Sequence, residues 1–269
     1  MSESETLLLG FIAGATIVLG LPLGRVRSPN PRLRQFLNAL AIGILVFLLW
    51  DVLAHAWDPI DTSLAALHDG SAGLSPVLGY GTLFFAGSMV GLMSLVYYER
   101  WLDRRSAARS AANGPSWSAA RRLALSIAVG IGLHNFGEGL AIGGSAASGE
   151  VALATVLVIG FALHNATEGF GIVAPLAATG ERATWGFLLS MGAIGGGPTF
   201  LGTAVGRQFT SAAVSVTFLT LAAGSILYVV VQLLGLGLRA DRKELLYWGL
   251  FVGLGAGFIT DMVVTAGGA

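Results

Sequence analysis

Long apolar runs, each cut short by a few polar residues, make up most of this chain. Largely apolar stretches lie at 6–24, 36–57, 77–98, 123–145, 150–178, 184–204, 211–237 and 245–267. A helix that crosses a hydrocarbon core of about 30 Å needs about 20 such residues. The pattern therefore predicts an all-α integral membrane protein with eight transmembrane helices. The stretches at 150–178 and 211–237 are long enough to tilt or to project beyond the bilayer. Only "SAASGE" separates the fourth stretch from the fifth, which makes them a close antiparallel pair. Residues 1–269 read as a single membrane domain, with a polar linker at 100–122.

Composition agrees with this pattern. Of 269 residues, 54% are hydrophobic and only 11% charged, too few to cover a surface in water, where about a quarter is usual. The 39 glycines fit membrane helices, in which glycine is enriched. Without cysteine the chain has neither disulfides nor thiolate metal sites. The N-terminal "MSESET" lacks the basic region of a cleavable signal, so the first stretch is expected to stay as a helix.

The net charge is zero, so the information lies in where the charges sit. Arg25, Arg27, Arg32 and Arg34 follow the first stretch, and Arg100, Arg104, Arg105, Arg109, Arg121 and Arg122 lie between the third and fourth. Arg182 follows the fifth, and Arg239, Arg242 and Lys243 follow the seventh. These are alternate connections, and only Arg207 falls on the other side. Basic connections face the cytoplasm, so both termini are expected to be extracytoplasmic. The opposite segment "HAWDPIDTSLAALHDG" carries Asp58, Asp61, His68 and Asp69 without Lys or Arg, and reads as a solvated loop able to pre-concentrate cations. The linker "DRRSAARSAANGPSWSAARR" has no histidine and reads as a disordered basic segment touching anionic lipid.

The chain also repeats itself. At an offset of 182, Gly10, Gly14, Gly20, Gly24 and Arg25 align with Gly192, Gly196, Gly202, Gly206 and Arg207. At 181 the second stretch meets the seventh, with Gly43 beside Gly224 and Asp51 beside Gln232. The third and eighth should correspond too, though with little residue-level match. Paired stretches run in opposite directions, giving inverted repeats in a 3+2+3 arrangement, the architecture of many secondary transporters. The central pair repeats at an offset of 30: "HNFGEG" from His134 and "HNATEG" from His164.

Those two motifs hold the chemistry. Residues four apart share a helix face, so His134 points with Glu138 and His164 with Glu168, while Asn135 and Asn165 flank them. A carboxylate deep in a bilayer costs several kcal/mol unless it is paired or faces a cavity. No Lys or Arg lies inside any stretch, so a bound cation is the natural partner. Two imidazoles and two carboxylates suit Zn²⁺, and also Fe²⁺, Mn²⁺, Co²⁺ or Cd²⁺, better than Mg²⁺ or Ca²⁺. Interhelical hydrogen bonding or a proton relay could use the same residues, but a metal site explains two copies on neighbouring helices better. Asp51 and His55, also four apart, read equally as an entrance relay for the ion or as a polar cap beside Trp50 and Trp57. Asp261 reads as structural or as an entrance accessory, and Gln232 is a candidate for the exit path.

"HNFGEG" resembles the fourth-helix signature of the ZIP (Zrt/Irt-like) metal transporters, and "HNATEG" the fifth-helix signature of that family's bacterial, GufA-like members. The resemblance implies an eight-helix bundle that takes divalent transition metals, most of all zinc, into the cytoplasm across the inner or plasma membrane. By motif, His134, Glu138, His164 and Glu168 would form the primary site, with Asn135 and Asn165 bordering a second. The family's usual proline is Gly137 in one copy and Thr167 in the other. Many relatives add a glutamate, often before a proline, on the sixth helix; here Gly197 stands before Pro198, so a mononuclear site is expected. The partners implied are the metal ion and the lipid bilayer, with no nucleic acid; glycine-rich outer faces permit a homodimer. The metal is cargo, with no other cofactor, and the chain is not expected to be an enzyme: HExxH, the motif of zinc proteases, is absent. The alternatives are a metal exporter or channel-like conduit and, from another class, a haem-binding electron carrier with His134 and His164 as axial ligands.

Overall fold

The computed structural model describes residues 1–25, 31–111, 117–149, 151–208, 211–239 and 242–266. Among these the regular structure is helical and no strand occurs. Eight α-helices follow one another: α1 (Glu3–Ala15), α2 (Pro31–His68), α3 (Ser75–Ala111), α4 (Ala119–Ala147), α5 (Val151–Thr179), α6 (Trp185–Gly206), α7 (Ala212–Leu238) and α8 (Lys243–Ala266). Seven segments among the described residues are long and apolar enough to cross a membrane. The protein is an integral membrane helical bundle. The remaining helix, α5, contains side chains outside the described set.

Several boundaries differ from the apolar pattern, each for a local reason. The first stretch is a broken helix. A capping box between Ser2 and Glu5 starts α1, but the helix stops at Ala15 and continues as 3-10 turns at Thr16–Leu19 and Leu21–Arg25. The Thr16 hydroxyl donates to the Ala13 carbonyl over 2.6 Å at the point where the helix tightens. α2 has 38 residues, about 57 Å at 1.5 Å per residue, and so overshoots the hydrocarbon core. The acidic segment read as a solvated loop is therefore mostly the last turns of α2. Its "TSLAALH" is rich in helix formers, and the Trp57 indole N–H donates to the Asp61 carboxylate one turn on. The basic linker is helical as far as Ala111 and again from Ala119, with residues 112–116 outside the described set. Arg122 pairs with Asp103 at 2.9 Å, and Arg105 lies over the Trp101 ring at 4.0 Å.

The helices sort into two groups. α1, α4, α5 and α6 pack together, as do α2, α3, α7 and α8, and the seam is made largely by α4 on α7 and α2 on α5. Glycines set the approach within each group. A methyl on Gly14 would lie 2.2 Å from the Gly196 carbonyl oxygen, and one on Gly196 2.1 Å from that of Gly14. The same reciprocity links α4 to α6 and α5 to α1: Gly139 abuts the Thr199 carbonyl as Gly169 abuts that of Ile17. Backbone touches backbone because nothing larger than hydrogen stands between, the usual way membrane helices gain packing contact.

The second group repeats this and corrects one expectation. Gly91 meets the Leu221 carbonyl and Gly253 that of Leu40, while Gly43 meets Leu250 and Gly224 meets Ser88. These crossings align α3 with α8 at an offset of 162, where "LFFAGSMVGL" from Leu83 lies beside "LLYWGLFVGL" from Leu245. The residue-level match between the third and eighth stretches is thus present. It escapes a search at 181 because α2 and α3 extend further at their connected ends than α7 and α8 do, so that Gly43 and Gly91 stand 48 residues apart but Gly224 and Gly253 only 29.

A methyl on Gly169 would lie 1.9 Å from the Ile17 carbonyl oxygen, whereas one on Gly79 meets nothing within 4 Å. Gly169→Ala is therefore expected to destabilise the protein by about 1–3 kcal/mol, and Gly79→Ala to be neutral or stabilising by up to about 1 kcal/mol. Thermal melting in detergent checks both, and equal melting temperatures would refute the close crossing.

Candidate metal centre

α4 and α5 bring the two polar motifs together. His134 and Glu138 lie one turn apart on α4, with Nε2 3.2 Å from Oε1. Glu168 arrives from α5 and sets its Oε1 3.7 Å from the same Nε2. Side-chain exposure is 4% for both α4 residues and zero for Glu168, so all three groups are out of water. His164 lies on α5 four residues before Glu168, and its side chain is outside the described residues.

Donor atoms around a tetrahedral zinc ion with bonds of about 2.1 Å stand about 3.4 Å apart. The two separations from His134 Nε2 bracket that value. Even so, among the described residues no three His, Asp or Glu side chains form a group able to hold an ion. As they stand, one imidazole serves two carboxylates. Glu138 Oε2, Asn135 Oδ1, Asn165 Oδ1 and Thr199 Oγ1 are buried and find no hydrogen-bond partner among the described residues. A buried polar group left this way costs roughly 1–3 kcal/mol. Of the buried polar groups here, the carboxylates of Glu138 and Glu168 are the ones that lie against the His134 imidazole.

Asn135 and Asn165 face other helices. Asn135 Nδ2 donates to the Gly195 carbonyl of α6 over 3.0 Å, and Asn165 Nδ2 to the Ala13 carbonyl of α1 over 2.9 Å.

A cavity of about 540 Å³ leads to His134 and Glu138. Ser145, Ser211 and Thr265 line it, at the ends of α4, α7 and α8. It therefore opens at the end of the bundle where the chain finishes, and where Arg207 of the α6 cap bonds Thr6 near the start. Asp51, His55 and Asp261 line its wall. Asp51 and His55 share a face, as their spacing predicts, with Nδ1 3.4 Å from Oδ1. Asp261 joins them in the tertiary structure although it is 210 residues from Asp51. The other half of the bundle is filled by a core containing Ile17, Leu21, Ile42, Leu45, Ile131 and Ile172. Gln232 lies in that half, where its side-chain amide donates to Glu99 over 2.8 Å. Glu99 sits just past an apolar stretch and carries no local motif, yet the offset of 162 that aligns α3 with α8 pairs it with Asp261.

No family model matches the chain. The zinc transporter ZupT of Escherichia coli O7:K1 (strain IAI39 / ExPEC) is 31% identical over 273 residues, covering 98% of this chain and 99% of that protein. The chain belongs to the ZIP family. ZupT proteins from the O1:K1 / APEC and K12 / DH10B strains are 32% identical over 148 residues, about half of each chain. The "HNFGEG" and "HNATEG" motifs lie on the two helices whose buried carboxylates meet beneath the cavity.

Membership makes one departure worth correcting. The ZIP pattern put Gly197 where a sixth-helix glutamate would complete a second metal position. In the structure Gly197 is exposed, and a methyl added to it meets nothing within 4 Å. The buried face of α6 carries Gly192, Gly195, Gly196 and Thr199, and two residues beyond Gly195 a helix has turned through about 200°. Gly197→Glu should therefore leave the number of zinc ions bound per chain unchanged in equilibrium dialysis; one additional ion would show that the residue reaches the site.

Proposed function

We propose that this ZIP-family protein carries divalent transition-metal ions, zinc foremost, across the inner or plasma membrane into the cytoplasm. The ion would be held midway by His134, Glu138, His164 and Glu168, with Asn135 and Asn165 at its border. The observation that carries this reading is the convergence of Glu138 and Glu168, from two helices, on one imidazole at the cavity floor. The zinc-transporter relatives supply the cargo.

The scaffold is read as an inverted 3+2+3 repeat with both termini extracytoplasmic. Support comes from the reciprocal glycine crossings at constant offsets and from the placement of the basic connections. In that orientation the cavity opens outward, and Asp51, His55 and Asp261 form an acidic entrance above the site. The Glu99–Gln232 pair is the repeat counterpart of Asp261 and Asp51, and in the same scheme it marks the exit. Alternating access would move the α1, α4, α5, α6 group against the other, around a site near the midplane.

Uptake of Zn²⁺, Fe²⁺, Mn²⁺ and Cd²⁺ into proteoliposomes tests the site. Glu138→Ala and Glu168→Ala are each expected to lower zinc uptake at least about tenfold, since even losing a residue that only supports a ligand costs 10–100-fold. Wild-type rates in both variants would end the hypothesis.

Protons compete with the metal, because the imidazoles must be neutral and the carboxylates ionised to coordinate it. Uptake is thus expected to fall steadily as the outer pH drops from 7.5 to 5. A flat profile across that range would show that these groups do not bind the ion.

A further inference from the structure

Near the cluster α1 gives way to 3-10 turns, and α6 runs on through an internal proline. α1 leaves α-helical geometry after Ala15. α6 contains Pro198, which has no N–H to give to the Ile194 carbonyl one turn back. An asparagine from a neighbouring helix bonds a carbonyl close to each feature: Asn165 bonds that of Ala13, and Asn135 bonds that of Gly195, next to the Ile194 carbonyl. Both side chains belong to fully buried residues. A carbonyl oxygen only accepts, so the amide nitrogen must be the end that faces it. The two bonds are also repeat mates. Asn135 and Asn165 stand 30 apart, like the two histidines, and Ala13 and Gly195 stand 182 apart, like Gly14 and Gly196. One contact is therefore made twice.

The next turn of each helix pair is fixed as well. Gly139, four residues after Asn135, abuts the carbonyl of Thr199, four after Gly195; Gly169 and Ile17 stand in the same relation to Asn165 and Ala13. Each pair is held at two points one turn apart, which sets both the depth and the rotation of the helix. On α4 the side chain of His134 is offset by about 100° from that of Asn135. Holding Asn135 against α6 thereby holds His134 towards α5 and the cavity.

We propose that Asn135 and Asn165 are positioning residues. Each clamps a ligand-bearing helix to its neighbour through its amide N–H, α4 to α6 and α5 to α1, and fixes the histidine immediately before it. The consequence for the ion rests on the metal-transport reading; the clamp itself rests on the two bonds.

The alternative role, coordination of the ion through Oδ1, is separated by watching the asparagine side chains directly. The chain has five asparagines, so selective ¹⁵N/¹³C labelling gives a readable spectrum, and Asn135→Leu and Asn165→Leu assign the two signals. In the wild type, both side-chain N–H groups are expected to resist hydrogen exchange. Added Zn²⁺ is expected to leave their Cγ signals without the displacement that coordination of an amide oxygen brings. The leucine variants, which keep the shape but not the donor, are expected to bind Co²⁺ at least tenfold more weakly and to show a shifted visible band. Freely exchanging N–H groups, a zinc-dependent Cγ displacement or wild-type Co²⁺ binding in both variants would each overturn the clamp. If a leucine variant does not fold, the wild-type signals still decide. Glu138→Ala in the same Co²⁺ titration keeps the two ideas apart: wild-type affinity there counts against the metal site and leaves the clamp to the wild-type spectrum.

Discussion

Two carboxylates buried in a membrane bundle, with no lysine or arginine at their depth, are the constraint from which the rest of the structure follows. In a medium of low dielectric such groups persist only when something positive or a strong hydrogen-bond donor lies against them. Here both converge on one histidine. That arrangement satisfies them only in part, since Glu138 Oε2 keeps no hydrogen-bond partner among the described residues. A salt bridge to arginine would have been a tidier way to bury the glutamates, and it would have removed the reason for a cation to enter.

Holding that cluster in register demands rigidity from helices that have little hydrophobic force pressing them together in lipid. Glycine crossings provide it. The α1–α6, α4–α6 and α5–α1 contacts bring backbones to a distance that no side chain would allow, and the asparagine amides donate to carbonyls beside the end of α1 and the proline of α6. A proline or a tightened turn at membrane depth is tolerated where neighbouring groups supply hydrogen bonds close by. The group that carries the cluster is thereby a unit with its own internal fastening. The seam with α2, α3, α7 and α8 joins it to a second group built on the same plan.

The bundle is not symmetrical in its present form. One end holds an open cavity with Asp51, His55 and Asp261 on its wall; the other holds packed aliphatic side chains and the Glu99–Gln232 pair. Sequence segments that align with one another thus sit in unlike environments at the two ends. The asymmetry extends to chemistry. Where the cavity wall has an aspartate and a histidine, the repeat counterparts are Gln232 and Leu236, so the closed end offers fewer groups to a cation.

Much of this was legible in the chain alone. Apolar length fixes membrane helices because the bilayer has a thickness, and the four-residue spacing of His134 and Glu138 fixes a shared face because the helix has a pitch. The charge placement and the match at 182 needed no coordinates either. Other features depended on packing at a distance. That Glu168 reaches His134, that Asp261 joins Asp51, and that Gly197 faces outward are set by how the helices rotate against one another, which no local spacing encodes. The extra turns of α2 and α3 were hidden because helices outside the hydrocarbon need no apolar run. The break in α1 was hidden because its sequence stays apolar while its geometry tightens. Sequence by itself determined which residues are forced to share a helix face and a membrane; only the tertiary structure decided which faces meet, because that depends on side-chain volumes and backbone approach summed over the whole bundle.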